Sequence, residues 1–242
     1  MRNILINISY DGSEFYGFQR QPDKRTVQGE IERAIFEVTG KIVNLIPCGR
    51  TDAGVHAREH ISNFFIETDL PGVSLKYHLR RHLPRDIEII ETKDVDMDFH
   101  ARFDAKSKIY RYIVSNGKYE IPYYRNYKTY ISKDLDLEKM VQASKKLLGR
   151  HDFTAFMKWG EDKNPVRTID YIKIYRVDED IYFEYIAESF LHNQIRIMTG
   201  LLIDIGRGFR DIAYIDDIFN KKIERAAKTY GPEGLYLLKI NY

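Results

Sequence analysis

A chain of 242 residues with 43% hydrophobic content is large enough to bury a core as one domain or two packed halves, and its longest apolar runs fall far short of the roughly 20 residues that cross a bilayer. The 38 Lys and Arg against 36 Asp and Glu leave a formal charge of only +2, so a nucleic-acid partner is permitted but not demanded by charge. A single cysteine excludes an internal disulfide and a cysteine zinc cage, and with Ile4-Leu5-Ile6 opening the chain in place of a secretory leader it predicts a reducing, cytoplasmic setting.

In chain order, Ile4, Ile6, Ile8 and Tyr10 alternate with Leu5, Asn7 and Ser9, which predicts a strand with one well-buried face. A turn-rich stretch from Asp11 to Asp23 follows. Val27, Ile31, Ala34, Ile35 and Val38 then recur at helical spacing, with Thr26 as N-cap and Gly40 just past the end. Next come a strand over Ile61 to Ile66, a helix from about Val73 to Leu83 stopped by Pro84, and a strand through Ile87 to Val95. From Ser107 a second run begins: a strand whose faces divide Ile109 and Ile113 from Tyr110, Tyr112 and Val114, then an amphipathic helix over Leu137 to Leu148 closed by Gly149. Strands at Ile169 to Val177 and Ile181 to Ala187 flank a turn at Asp178 to Asp180. A helix from about Leu191 to Ile205, a short helical stretch near Tyr214 to Lys222 and a last strand, Leu235 to Tyr242, complete the pattern. It predicts an α+β fold in two similar α/β halves, 1–104 and 105–242, each with a largely antiparallel mixed sheet flanked by helices; a cleft between them would lie near Phe99 to Lys106.

Three basic groups stand out: Arg80, Arg81 and Arg85; Arg102, Lys106, Lys108 and Arg111; and Arg196, Arg207 and Arg210. Most such groups are solvated faces. The 18 Tyr and 13 Phe interleaved with them also suit stacking on unpaired bases.

The stretch C-G-R-T-D-A-G-V-H-A, Cys48 to Ala57, holds the chemistry-bearing candidate. Asp52 is either the first residue of an Asx-type turn or a reagent. Beside the Arg50 guanidinium a carboxylate stays ionised and can act as nucleophile or base toward a sugar carbon. No second carboxylate, carboxylate cluster or serine elbow accompanies it. His56 and His60, at i and i+4, would pair on a metal only on a helix, which Gly54 disfavours. If Asp52 is catalytic it acts alone, with no metal and no cofactor.

Four separated stretches resemble the TruA family of tRNA pseudouridine synthases: Y-D-G-S-E-F-Y-G-F-Q-R-Q (Tyr10 to Gln21) with T-V-Q-G-E-I-E-R-A (Thr26 to Ala34); G-R-T-D-A-G-V-H-A (Gly49 to Ala57); F-H-A-R-F-D-A-K-S-K-I-Y-R-Y (Phe99 to Tyr112); and S-F-L-H-N-Q-I-R-I-M-T-G (Ser189 to Gly200) with E-G-L-Y-L (Glu233 to Leu237). The resemblance implies that Asp52 is the catalytic aspartate, that Tyr110 stacks on the target base, that Arg196 pairs with the aspartate, that Arg50 takes the place of the flipped-out base, and that Leu235 lines the uracil pocket. It implies an isomerase converting uridine to pseudouridine in the tRNA anticodon stem-loop, at nucleotides 38, 39 and 40, by a metal-free rearrangement within a central basic cleft of a homodimer. A paralogue acting on another tRNA or rRNA uridine and a non-catalytic tRNA-binding module remain alternatives. The chain departs from the family pattern at Phe18, where tryptophan is usual, and in L-H-N-Q at Leu191 to Gln194.

Overall fold

A computed structural model describes residues 1–158 and 164–242. In chain order the elements are β1 (Arg2–Tyr10), α1 (Val27–Thr39), β2 (Ile46–Pro47), β3 (His56–Ile66), α2 (Gly72–Leu79), β4 (Ile87–Val95), β5 (Ser107–Ser115), β6 (Thr129–Tyr130), α3 (Leu137–Lys145), β7 (Gly149–Asp152), β8 (Val166–Ile169), β9 (Tyr171–Val177), β10 (Asp180–Ala187), α4 (Gln194–Gly206), α5 (Tyr214–Phe219) and β11 (Leu235–Asn241). Strands and helices alternate without long parallel βαβ runs, which makes the chain an α+β protein with mixed sheets. Two compact units carry them. One holds Met1–Lys106 together with Tyr236–Tyr242, and the other holds Ser107–Leu235. The last seven residues thus return to the first unit although they follow the second in sequence.

In the first unit the strand order is β4, β1, β3, β11. β1 is central and antiparallel to both neighbours, while β11 joins β3 in parallel through Tyr236 and Leu237. The expected alternation along β1 holds on one side, where Ile4, Ile6 and Ile8 are fully buried. The other side is covered as well, because Asn3, Leu5 and Asn7 are each less than a tenth exposed. Asn3 on that side is matched by Asn63 of β3. The Asn63 side-chain amide donates to Asn3 Oδ1 at 2.9 Å and its carbonyl accepts from Ala101 N at 3.0 Å. Asn3 Nδ2 donates to the carbonyls of Asp96 and Phe99 at 2.8 and 3.0 Å. Two amides on neighbouring strands therefore pin the 96–101 turn. Asn63→Ala would strand these partners inside the protein, and we expect it to lower the unfolding free energy by about 2–4 kcal/mol, read by urea denaturation.

α1 begins as expected, with Thr26 Oγ1 accepting from Gly29 N, and it ends at Gly40, left-handed at φ 69°. α2 is shorter than its apolar pattern suggests. Its last residues continue to His82 through the bonds Arg81 N to His78 O and His82 N to Leu79 O, three residues back, which tighten the chain out of the α-helix.

The second unit has β5, β10 and β9 in order, all antiparallel, with β6 parallel to β5. The run predicted as one strand over 169–177 divides into β8 and β9 at Asp170, whose N–H donates to Ile186 O, and β8 pairs with the separate strand β7. α4 starts three residues later than its hydrophobic pattern, because Asn193 is left-handed at φ 65° and the Gln194 side chain bonds back to Leu191 N at 2.8 Å. That turn is what L-H-N-Q builds. α4 is buried almost all round, as its run of Ile, Leu and Met requires, and Gly206 admits α3 where a Cβ would lie 2.8 Å from the Met140 side chain. Among the described residues no helix is long and apolar enough to cross a membrane.

Candidate active site

Asp52 lies in the loop between β2 and β3. Its carbonyl accepts from Val55 N at 3.2 Å, closing a four-residue turn whose third residue, Gly54, has φ 80°. That is the dihedral a type II turn demands at this position, and glycine meets it without strain. The turn uses Asp52 through its backbone. Its side chain is half-buried and Arg50 two residues before it is exposed.

The anchoring comes from the Tyr10 to Gln21 stretch, which folds as a strap against the loop. Tyr10 Oη and Thr51 Oγ1 are hydrogen-bonded at 2.7 Å; Phe18 N donates to Thr51 O and Gly54 N to Phe15 O, both at 3.2 Å. Gly12 passes so close to β3 that a Cβ there would sit 2.0 Å from Val55 O, and its N–H donates to His56 Nδ1 at 3.1 Å. His60 is fully buried, stacks on Phe18 at 4.0 Å between ring centroids, and holds Gly49 O through Nε2 at 2.9 Å. α1 secures the strap's other end. Its first amides, on Val27 and Gln28, donate to Gly17 O and Phe18 O, where a helix N-terminus would otherwise leave them unbonded. Gln28 Oε1 accepts from Arg20 N, and buried Glu32 takes the Arg20 guanidinium at 2.8 Å. The strap and the helix after it are thus the structural support of the aspartate loop. Phe18 has no exposed surface, so its replacement of the usual tryptophan is a matter of core packing.

His56 and His60 do not form a metal pair. On a strand, positions i and i+4 lie about 13 Å apart, and the two rings have separate duties, His56 stacking on Tyr236 at 4.7 Å. Among the described residues no three His, Cys, Asp or Glu side chains are grouped to hold a metal.

The other candidates lie in the second unit. Tyr110 is on β5 opposite Tyr185, on the same buried face as Tyr112 and Val114, and meets Phe190 edge-on at 5.4 Å. Arg196 sits in the first turn of α4; its Nε donates to Tyr230 O at 2.7 Å and its Nη1 to Asn193 Oδ1 at 2.9 Å. Leu235 is buried at the start of β11, where its N–H donates to Pro232 O. Between Arg196 and Leu235 the 230–234 segment is held from several sides. Tyr112 Oη donates to Gly231 O at 2.8 Å, Thr129 bonds Glu233 at 2.6 Å, and Ile113 N donates to Gly234 O. Burial pushes the Tyr112 hydroxyl far above the usual phenol range, so it is a neutral donor at every working pH. Asp52 and Arg50 thus share one loop of the first unit, while Tyr110, Arg196 and Leu235 are gathered on adjoining elements of the second. The strap residues and Tyr112 lay outside the sequence-level candidates; their only signal was that they fall within the motifs.

The first unit thus offers Asp52 on a braced loop, and the second gathers Tyr110, Arg196 and Leu235, in a chain of α+β class. Residues 6–104 and 143–242 match the model of the tRNA pseudouridine synthase family. The chain is 41% identical to tRNA pseudouridine synthase A of Finegoldia magna and 42% identical to that of Acetivibrio thermocellus, over the full length of all three chains. It is 40% identical to tRNA pseudouridine synthase A 2 of Clostridium tetani, over all of this chain and 99% of that one. The chain belongs to the tRNA pseudouridine synthase family, and it is an isomerase of that class.

Proposed function

We propose that the protein converts uridines 38, 39 and 40 of the tRNA anticodon stem-loop to pseudouridine, as a cytoplasmic homodimer, with Asp52 as the catalytic residue. The observation that carries this reading is the Asp52 loop: a turn closed by the Asp52 carbonyl and braced by a second motif of the same family through Tyr10, Phe18 and Gly12.

In the proposed reaction the bond from uracil N1 to ribose C1′ breaks, the base turns in place, and C5 bonds to C1′. The C5 proton leaves and N1 gains one, so atoms balance without water, redox change or a cofactor. Asp52 either attacks C1′ or removes a proton from C2′. Tyr110 stacks on the base and assists loss of the C5 proton, Arg196 steadies the carboxylate, and Leu235 gives the base an apolar wall. Flipping a uridine out of a stem costs a few kcal/mol, offset by stacking and by Arg50 in the vacated place.

Purified protein incubated with unmodified tRNA transcripts tests the reading, with carbodiimide-based primer extension locating each pseudouridine. We expect stops at 38, 39 or 40, undiminished by EDTA. Stops elsewhere in the tRNA would reassign the substrate site, no stops at all would leave a tRNA-binding module, and loss of activity in EDTA would overturn the metal-free mechanism.

A further inference from the structure

The basic groups in the chain differ in how far they are already matched. Arg80 is paired with Glu88, and Arg111 with Glu184 across the β5–β10 ladder. The far end of α4 is different. There Asp204, Arg210, Tyr214, Arg225, Ala226 and Lys228 line an open hollow of about 340 Å³. Arg210, Arg225 and Lys228 make no ion pair within 4 Å among the described residues. Arg210 instead lies 4.5 Å from the centroid of the Tyr214 ring, and Arg225 has a single side-chain bond at the geometric limit, 3.5 Å to Thr229. Three cations thus face one carboxylate, Asp204. Burial raises the affinity of that carboxyl for its proton, against the opposing pull of Arg207 and Arg210.

The wall of the hollow is fixed in place. Ala226 N donates to Ala155 O at 2.9 Å. Gly200 of α4 lies so close to the 225–230 segment that a Cβ would fall 2.5 Å from Lys228 O, and Arg196 holds Tyr230 O two residues on. α4, which carries Arg196 and Asp204, is thus tied to the segment that carries Arg225 and Lys228, and Arg210 follows four residues after the helix ends. Asp204 is eight residues beyond Arg196 in α4, about 12 Å along the axis.

We infer that this hollow is a phosphate site: Arg210, Arg225 and Lys228 bind a backbone phosphodiester of the RNA substrate away from the target uridine, and so set the register in which α4 presents Arg196. The inference rests on a tRNA substrate. Phosphate contacts of this kind fix position and carry no base preference, and their contribution falls with salt as condensed counterions are released.

The test uses the full chain with Arg210→Gln, Arg225→Gln and Lys228→Gln, singly and combined. All three positions are exposed, and thermal melting checks that the fold is kept. A second triple variant, Lys139→Gln, Lys145→Gln and Lys173→Gln, removes equal charge from the same unit outside the hollow. Binding of unmodified tRNA transcript is measured by filter retention across a salt series, and pseudouridine formation is followed for kcat and KM. Each substitution in the hollow should flatten the plot of log Kd against log salt by about 0.7–0.9, and the triple variant should raise KM roughly tenfold or more with kcat within about twofold. The control triple should move neither quantity comparably. Wild-type slope and KM in the hollow triple, or equal losses in the two triples, would overturn the site. Saturable binding of inorganic phosphate alone that the hollow triple loses, with its tRNA slope unchanged, would assign the site to a free anion and overturn the RNA register. If the wild type binds tRNA but forms no pseudouridine, the proposed reaction fails while the salt slopes still decide the hollow.

Discussion

Asp52→Asn is expected to reduce pseudouridine formation by roughly 10⁴-fold or more while leaving the fold and tRNA binding nearly untouched. The size follows from the proposed chemistry, in which one anionic oxygen does what other enzymes divide among several groups, so no partner is left to sustain a residual rate. The specificity of the loss follows from the loop. The turn from Asp52 to Val55 is closed by the Asp52 carbonyl, and the brace reaches the neighbouring Thr51 through its hydroxyl and carbonyl. An asparagine supplies the same backbone and nearly the same volume at a half-buried position. Urea denaturation should therefore show a loss of no more than about 1 kcal/mol, and filter binding of tRNA should change by less than about threefold. Asp52→Glu keeps the charge but moves it outward by one methylene; a displacement of about 1 Å costs about 10²-fold in such sites, so the glutamate variant should be slow rather than silent. A deuterium at ribose C2′ separates the two routes open to the carboxylate. A primary isotope effect on the wild-type rate assigns proton removal from C2′, and its absence assigns attack at C1′.

What could be read from the chain and what could not divides along the range of the interactions. β1, α1, β5, β10 and α4 are visible as periodicity because each buries a stripe or face set by local spacing. The short strands β2, β6, β7 and β8 are not, since two to four residues carry no period and exist only through the partner they meet. The late start of α4 turns on a single left-handed asparagine, which a pattern of apolar residues cannot register. At the site, Asp52 and Arg50 are recognisable from the motif around them. The reasons that they stay in place are not: Tyr10 reaches Thr51 across 41 residues of sequence, and Phe18 meets His60 only after β1, the strap and β3 have come together. Residues that look like independent motif letters are in fact one packed object.

Gly12→Ala puts that packed object to the test. The methyl would be placed 2.0 Å from Val55 O and 2.5 Å from Val55 C, both main-chain atoms next to the Asp52 turn. No rotamer change can relieve such a clash. The strap must draw away from β3, loosening the bond from Gly12 N to His56 Nδ1 and, through Phe15, the bond from Gly54 N. Overpacking of this kind costs about 1–3 kcal/mol, and the same shift moves the Asp52 turn, so we expect kcat to fall about 10²-fold with tRNA affinity little changed. Gly40→Ala is the informative comparison. Gly40 is left-handed at the end of α1, with nothing within 4 Å of an added Cβ, so alanine there costs only its conformational penalty, about 1 kcal/mol, far from the strap's contacts. Two alanines of comparable destabilisation should then separate cleanly. If Gly40→Ala slows the reaction as much as Gly12→Ala at equal loss of stability, the strap is scaffold alone. If only Gly12→Ala lowers kcat, the close passage of the strap over Val55 is part of what holds the carboxylate where it acts.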